Sequence, residues 1–181
     1  MRTGLDSQTV EKNKCEIISL LKSTNREGVD RVLDYLDGVG FYTAPSSVDR
    51  HHNWYGGLAQ HSLGVCRNAL RYCRGVDRNS VVIATLLHDV CKASKLYYGT
   101  DGRIYRRRTA IKGHGYRSVA LLQREGLVLT KDEWMAIRWH MGLEKATEQE
   151  AAAVRRSSLW SLVRRSDGFD AAKGWRGHRC A

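Results

Sequence analysis

Four histidines and two aspartates recur along this chain at nearly even intervals, with steps of 27, 25, 26 and 27 residues. In a helical protein, a step of that length covers one helix, a turn and part of a returning helix, because each helical residue rises by about 1.5 Å. Each step can therefore return a side chain to the same cleft. The residues are His61, the adjacent pair His88 and Asp89, His114, His140 and Asp167.

These side chains form a mixed set of imidazole nitrogens and carboxylate oxygens, which is typical of a metal site. Such a set suits manganese, iron, cobalt, nickel or zinc better than calcium, and magnesium is a further candidate. The pair His88 and Asp89 follows the apolar run SVVIATLL. A buried carboxylate is costly unless it is paired, so the pattern predicts a bound metal that is used for chemistry.

The composition predicts one helical, soluble domain. The chain has 181 residues, of which 42% are hydrophobic and 27% charged, with a single proline. A domain of this size buries roughly 70% of the surface that its unfolded chain exposes, so it needs no disulfides. Five cysteines are an odd number and form no CxxC pair, which predicts reduced thiols. We interpret Cys91 as a small buried residue beside the site rather than a ligand.

Two features bear on the surroundings and partners of the protein. The polar N-terminal segment lacks the apolar core of a secretory signal, and no apolar run approaches the ~20 residues of a membrane span, so we expect a cytoplasmic protein without membrane contact. The net charge is +11, with 30 Lys and Arg against 19 Asp and Glu. A solvated basic surface would have the same charge, but together with a metal site the excess favours a phosphorylated small molecule, above all a nucleotide, with short nucleic acid as a further candidate.

Hydrophobic periodicity predicts an all-α fold. The predicted helices cover residues 9–22, 26–37, 57–74, 79–92, 114–125, 130–141 and 148–170. Thr130 and Glu133 are predicted to form a capping box. Residues 96–106, rich in tyrosine and isoleucine around Asp101-Gly102, predict a β-hairpin that forms a flap near the site.

These elements are expected to form a single domain over residues 1–171. Its N-terminal helices, within 9–37, are expected to pack on a metal-binding core over 50–171. The last residues, 172–181, are predicted to be a flexible basic tail.

Five segments resemble, in the same order, those of the HD-domain metal-dependent phosphohydrolases. The segments are GGLAQHS, LLHDVCK, GHG, RWHMG and RRSDGFDA, and they lie within residues 50–171. The chain looks most like small, stand-alone bacterial and phage HD proteins with six ligands. The resemblance implies an HD-type helical bundle.

The same resemblance implies how the metals are held. One ion would be bound by His61, His88, Asp89 and Asp167, and a second by His114 and His140, with Asp89 bridging the two. Two divalent ions can share a hydroxide that attacks phosphorus in line. The implied activity is hydrolysis of a phosphoester bond of a nucleotide or of a short or cyclic oligonucleotide, with Asp89 and Lys92 as the catalytic residues.

Further side chains are predicted to contact the substrate. Lys92 follows His88 by four residues and matches the family's HDxxK pattern, so its ammonium can face a phosphate. Alternate residues of a strand share a face, which makes two of the hairpin arginines candidates, and a hairpin tyrosine can stack on a base. The predicted substrate-binding residues are Lys92, Arg117, Lys112, His51, His52, Arg106, Arg108 and Tyr98.

The ligand residues alone leave other functions open. Some six-ligand HD proteins resemble mixed-valent di-iron oxygenases that act on small organic molecules, and a nucleotide sensor without turnover is a third reading. The HDxxK lysine and the basic hairpin favour phosphate chemistry. A homodimer is also expected from the family, although no interface can be identified in the sequence.

Overall fold

The computed structural model describes residues 4–107 and 113–176. The described part is all-α with one small β-hairpin, which confirms the predicted fold class. The helices are α1 (Ser7–Ser23), α2 (Val29–Gly38), α3 (Gly57–Arg71), α4 (Arg78–Leu87), α5 (His114–Arg124), α6 (Lys131–Trp139), α7 (Glu148–Arg155) and α8 (Ser158–Arg176). The hairpin consists of β1 (Leu96–Tyr98) and β2 (Ile104–Arg106).

Helix α4 lies at the centre of the molecule. Every residue from Ser80 to Leu87 is buried, as expected for a helix that is apolar on all sides. It packs against α1, α3, α6 and α8. The C-terminal end of α4 therefore delivers His88 and Asp89 to the interior, between the helices that supply the other candidate ligands.

The start of α6 shows the predicted capping box. The Thr130 hydroxyl accepts from the Glu133 backbone N–H, and the Glu133 carboxylate accepts from the Thr130 backbone N–H. Glu133 is fully buried and also binds the Arg26 guanidinium through two hydrogen bonds of 2.6 and 2.8 Å. The pair ties the start of α6 to the connection between α1 and α2.

The helix predicted over 79–92 ends earlier than expected. Helix α4 stops at Leu87, Asp89 leaves helical geometry with φ −111° and ψ 14°, and a short 3-10 turn covers Val90–Lys92. Apolar residues resume directly after the break, at Val90 and Cys91, so hydrophobic periodicity could not locate it. The turn redirects the chain toward the hairpin.

The single helix predicted over 148–170 is wrong. Two helices, α7 and α8, are separated at Arg156 and Ser157. The Ser157 hydroxyl accepts from the Trp160 backbone N–H at 3.3 Å, which is how a serine at a helix start competes with helix continuation. Helix α8 also runs to Arg176, so residues 172–176 of the predicted tail are helical, and 177–181 lie outside the described residues.

Within the described ranges, no helix has the length and apolar character required to cross a membrane.

Candidate metal centre

The structure brings all six candidate ligand residues to one region of the molecule. They come from five places in the fold: His61 from α3, His88 and Asp89 from the end of α4, His114 from the start of α5, His140 from the end of α6, and Asp167 from α8. Most of them are buried, with exposed fractions of 0 to 2% for His61, His88, Asp89 and His140. Five helices therefore meet at this cluster.

The distances between ligand atoms are short. His61 Nε2 lies 3.1 Å from Asp167 Oδ1, and His88 Nε2 lies 3.9 Å from the same oxygen. The two oxygens of Asp89 face different rings, with Oδ2 3.3 Å from His88 Nε2 and Oδ1 3.5 Å from His140 Nε2. His88 and Asp89 thus lie between His61 and Asp167 on one side and His140 on the other.

Among the six candidate ligand residues, two sets of three ligand atoms lie within 4.8 Å of one another: His61, His88 and Asp167, and then His88, Asp89 and His140. A third set of this kind joins His61 to the loop histidines His51 and His52. His114 belongs to none of these sets, although its ring centroid lies 5.6 Å from that of His140. Two neighbouring metal positions are therefore compatible with the cluster, with His114 at its margin.

Two of the histidine rings, those of His88 and His140, are oriented by hydrogen bonds on the side away from the cluster. His88 Nδ1 donates to the Thr85 carbonyl oxygen and His140 Nδ1 to the Ile137 carbonyl oxygen, both at 2.8 Å. A carbonyl can only accept, so each Nδ1 holds the proton, and in the neutral ring Nε2 presents a lone pair to the cluster. This is the arrangement that a metal-ligating histidine requires.

Several atoms of the cluster lack a hydrogen-bond partner in the described part of the chain. They include Nε2 of His88, His114 and His140, and Oδ1 of Asp89, and all are buried. Unsatisfied buried polar atoms are costly and uncommon in folded proteins. Lone pairs that converge from imidazole and carboxylate groups fit a divalent transition metal ion.

His61 is held between two carboxylates. Its Nδ1 lies 2.7 Å from Asp170 Oδ2, and its Nε2 faces Asp167. Burial opposes the charged ring, but the hydrogen bonds to Asp167 and Asp170 outweigh it and raise the pKa of His61 to about 9. A nitrogen lone pair and a carboxylate oxygen at this separation repel unless a proton or a metal ion lies between them.

Asp170 was missed in the sequence analysis. It lies three residues after Asp167 on α8, and residues with that spacing share a helix face. Its carboxylate approaches α3 at Gly64, where a Cβ atom would collide with it. A second acidic residue one turn from a candidate ligand was the available signal.

Gly115 permits a close helix contact that positions His114. A Cβ atom at this position would collide with the backbone oxygens of Ile137 and Arg138. The absence of a side chain lets the start of α5 approach the end of α6. That approach brings His114 beside His140.

The two histidines of the loop before α3 have different surroundings. His52 is buried, has a left-handed backbone with φ 51°, and lies 3.6 Å from Asp170 Oδ2 through its Nε2. His51 lines the cleft next to the cluster, with its ring centroid 4.7 Å from that of His61. Burial, and then repulsion from His61, lower the pKa of His51 to about 4, so it is neutral near pH 7.

A cleft of about 720 Å³ opens over the cluster. Asp89, His114 and Asp167 form part of its lining. Its other charged residues include the cations Arg50, Lys92, Lys95, Arg106 and Arg117. The volume lies within the range of about 300–1,000 Å³ that is usual for small-molecule sites.

Lys92 joins this lining to the cluster, with its Nζ 2.6 Å from Asp89 Oδ2. Burial alone would raise the pKa of Asp89, but Lys92 and then His88 hold it well below its usual range. Cys91 is buried, and its thiol donates to the His114 carbonyl oxygen at 3.3 Å. The carboxylate is therefore ionised, and the cysteine occupies the packing position that we expected.

The predicted substrate-binding residues that the structure describes lie in three places. Lys92, Arg106, Arg117 and His51 line the cleft. Tyr98 instead lines a neighbouring pocket of about 370 Å³, together with Pro45 and Arg107. His52 lies behind the cluster, at Asp170. Lys112 and Arg108 lie outside the described residues.

Comparison with known proteins gives a family and one curated relative. The family model of the HD domain matches residues 58–172. The chain is also similar to a dihydroneopterin 2',3'-cyclic phosphate phosphodiesterase of Methanocaldococcus jannaschii, with 27% identity over 106 residues, which is 54% of this chain and 40% of the relative. The chain thus spans about two fifths of that relative's length. No solved structure gives a significant match.

Proposed function

Because the chain belongs to the HD domain family, we propose that it is a metal-dependent phosphohydrolase with two metal ions. Its substrate is a nucleotide or a short or cyclic oligonucleotide, in which it hydrolyses a phosphoester bond. The proposal rests on one observation above all, the unpartnered histidine nitrogens and the Asp89 oxygen that converge at the floor of a cation-lined cleft. The similarity to a cyclic phosphate phosphodiesterase supports a phosphate substrate.

The first ion would be held by His61, His88, Asp89 and Asp167, and the second by Asp89, His114 and His140. The two Asp89 oxygens, which face the rings of His88 and His140 at 3.3 and 3.5 Å, support a bridging role. Paired divalent ions supply a nucleophile from water near neutral pH and stabilise charge on the attacking and leaving oxygens. Manganese, iron, cobalt, nickel and zinc all suit these ligands, and magnesium is a further candidate.

Lys92 is the residue proposed to orient the phosphate. Its ammonium lies 2.6 Å from Asp89 Oδ2 and also lines the cleft. An ammonium has three donors, so it can keep the Asp89 contact and donate to a phosphate oxygen as well. In the 3-10 turn Val90–Lys92, residues three apart lie on the same side, one turn apart, and this places the Lys92 ammonium beside the Asp89 carboxylate.

The charge of the cleft bears on the alternative function. A di-iron oxygenase acting on a small organic molecule needs no wall of cations, whereas a phosphorylated substrate is attracted by one. The cleft has five Lys and Arg side chains in its lining. This composition supports the phosphohydrolase.

A product scan tests the proposal. Metal-stripped protein is reloaded with manganese, cobalt, iron, nickel, zinc or magnesium and mixed with mononucleotides, 2',3'-cyclic nucleotides and dinucleotides, and the products are identified by mass spectrometry. We expect a metal-dependent product from the unmodified protein and from Asp34→Asn, which changes an exposed carboxylate on α2. Asp89→Asn should form none, because it removes the bridging charge. Equal product from Asp89→Asn would overturn the proposed site.

A further inference from the structure

We propose that the cleft contains a second anion site, formed by Lys95, Arg106 and Arg117. This site binds a phosphate monoester of the substrate while the metal centre receives the phosphate that is hydrolysed. The inference rests on the proposed function and narrows its substrate class to small molecules with two separate phosphate groups. We refer to the three residues as the cationic wall.

The three side chains of the cationic wall come from different elements. Lys95 follows the 3-10 turn after α4, Arg106 ends β2, and Arg117 lies in the first turn of α5. All three line the same cleft as Asp89 and Asp167. The wall is therefore assembled by the fold, since these residues are not a charged run in the sequence.

Of two adjacent hairpin arginines, Arg106 lines the cleft. It pairs with Leu96 across the hairpin, and Leu96 lines both the cleft and the neighbouring pocket. Arg107 lines the neighbouring pocket instead, and its guanidinium lies 5.1 Å from the Tyr97 ring centroid. Two adjacent arginines thus have different surroundings.

Two members of the cationic wall have no ion-pair partner in the described ranges. Lys95 and Arg106 contact no carboxylate there, whereas Lys92 is paired with Asp89. Burial, and then repulsion from Arg117 and Arg106, lower the pKa of Lys95. Like charges that line one cleft repel one another, and a bound anion would offset that repulsion.

The number of cations indicates the kind of phosphate. A phosphate monoester has a charge of about −1.5 to −2 at pH 7, whereas a diester has a single charge. Lys95 and Arg106 together complement the monoester better than the diester. Arg117 is buried, with 8% of its surface exposed, and adds its charge beside them in the lining of the same cleft.

Calorimetric titration with inorganic pyrophosphate tests the site without relying on turnover. We expect Lys95→Gln and Arg106→Gln each to weaken pyrophosphate binding to the metal-loaded protein about tenfold, because each removes a charge-assisted contact. Arg107→Gln is the matched control, with the same charge change one residue away, and should bind within about twofold of the unmodified protein. Unchanged binding in Lys95→Gln and Arg106→Gln, or an equal loss in Arg107→Gln, would overturn the second site.

A kinetic comparison then tests the substrate class. Adenosine 2',3'-cyclic phosphate is compared with its 5'-phosphorylated form. Lys95→Gln should raise KM about tenfold for the 5'-phosphorylated compound alone and leave kcat unchanged for both compounds. Equal effects on both compounds would overturn the proposed class of substrates with two separate phosphate groups. If neither compound is turned over and Asp89→Asn behaves like the unmodified protein, the proposed function fails, and the pyrophosphate titration still decides whether the cationic wall binds anions.

Discussion

At the scale of single residues, the candidate metal centre depends on groups that hold the histidine rings from the side away from the ligand cluster. Asp170 holds Nδ1 of His61 at 2.7 Å, and the carbonyl oxygens of Thr85 and Ile137 do the same for His88 and His140. These contacts fix which nitrogen has the proton. The backbone contacts follow from helix geometry, whereas Asp170 is a replaceable side chain.

Replacing Asp170 by asparagine should therefore weaken metal binding without removing a ligand. The amide oxygen can still accept from His61 Nδ1, but the negative charge that strengthens the ligand is lost. Loss of such a partner typically costs about 10–100-fold in metal affinity. Titration of the metal-free protein with Mn²⁺ measures the effect, with Asp34→Asn as the control. Equal affinities for the two variants would contradict a supporting role for Asp170.

The pKa of His61 predicts how the stability of the metal-free protein depends on pH. The raised value of about 9, against an ordinary 6.5, means that the folded protein retains this proton more tightly than the unfolded chain does. The resulting stabilisation is complete below pH 6.5 and is lost as the pH rises through 9. Urea unfolding of metal-free protein at pH 6, 7.5 and 9 should show a falling free energy of unfolding.

The same proton competes with a metal ion for His61 Nε2, so metal affinity should rise over this pH range. His61→Gln is the control, because it removes the titrating group. A pH dependence that is unchanged in His61→Gln would assign the effect to other groups.

At the scale of elements, close approaches between helices decide where the ligands meet. The start of α5 approaches the end of α6 at Gly115, and α8 approaches α3 at Gly64. Neither approach is visible in a hydrophobic pattern, because a pattern shows which face is buried and not how closely two helices pack.

Gly115→Ala should destabilise the protein. The new Cβ atom would overlap the backbone oxygens of Ile137 and Arg138, and overpacking of this kind costs about 1–3 kcal/mol. Gly38→Ala is the matched control, because a Cβ atom there meets nothing within 4 Å. Urea unfolding compares the two variants, and equal free energies of unfolding would show that α5 shifts without cost.

Two capping boxes of the same type should differ in their contribution to stability. Glu133 is buried and paired with Arg26, whereas Glu150 caps α7 on the surface. Glu133→Ala leaves a partly buried guanidinium without its partner, which costs about 3–5 kcal/mol, while Glu150→Ala should cost about 1 kcal/mol. The free energies of unfolding of the two variants measure the difference. Similar losses would mean that the Arg26 pair adds little.

At the scale of the whole molecule, two bound metal ions would together link α3, α4, α5, α6 and α8. A metal that binds only the folded protein stabilises it by about 2.7 kcal/mol when its free concentration is a hundred times its Kd. Chelation should accordingly lower Tm in the unmodified protein. It should have little effect in Asp89→Asn, and an equal shift in both proteins would place the metal elsewhere. The expected homodimer stays a prediction.

The sequence by itself determined the class of fold and supplied the candidate ligand residues, whose role stays a prediction. Metal ligands come from few residue types, and their spacing of about one helix and a return survives any detail of packing. Hydrophobic periodicity located most helices and the hairpin, because it reflects which face is buried. It missed the ends at Leu87 and Arg155, where local hydrogen bonding rather than burial terminates the helix.

The tertiary structure alone decided which residues share the site. Asp170 contacts His61 across 109 positions of sequence, and the cationic wall combines a turn, a strand and a helix. Tyr98 lines a different pocket from Arg106 although the two belong to one hairpin. Such groupings depend on distances between segments that are far apart in the chain, and those distances are set by helix packing and strand register rather than by residue type.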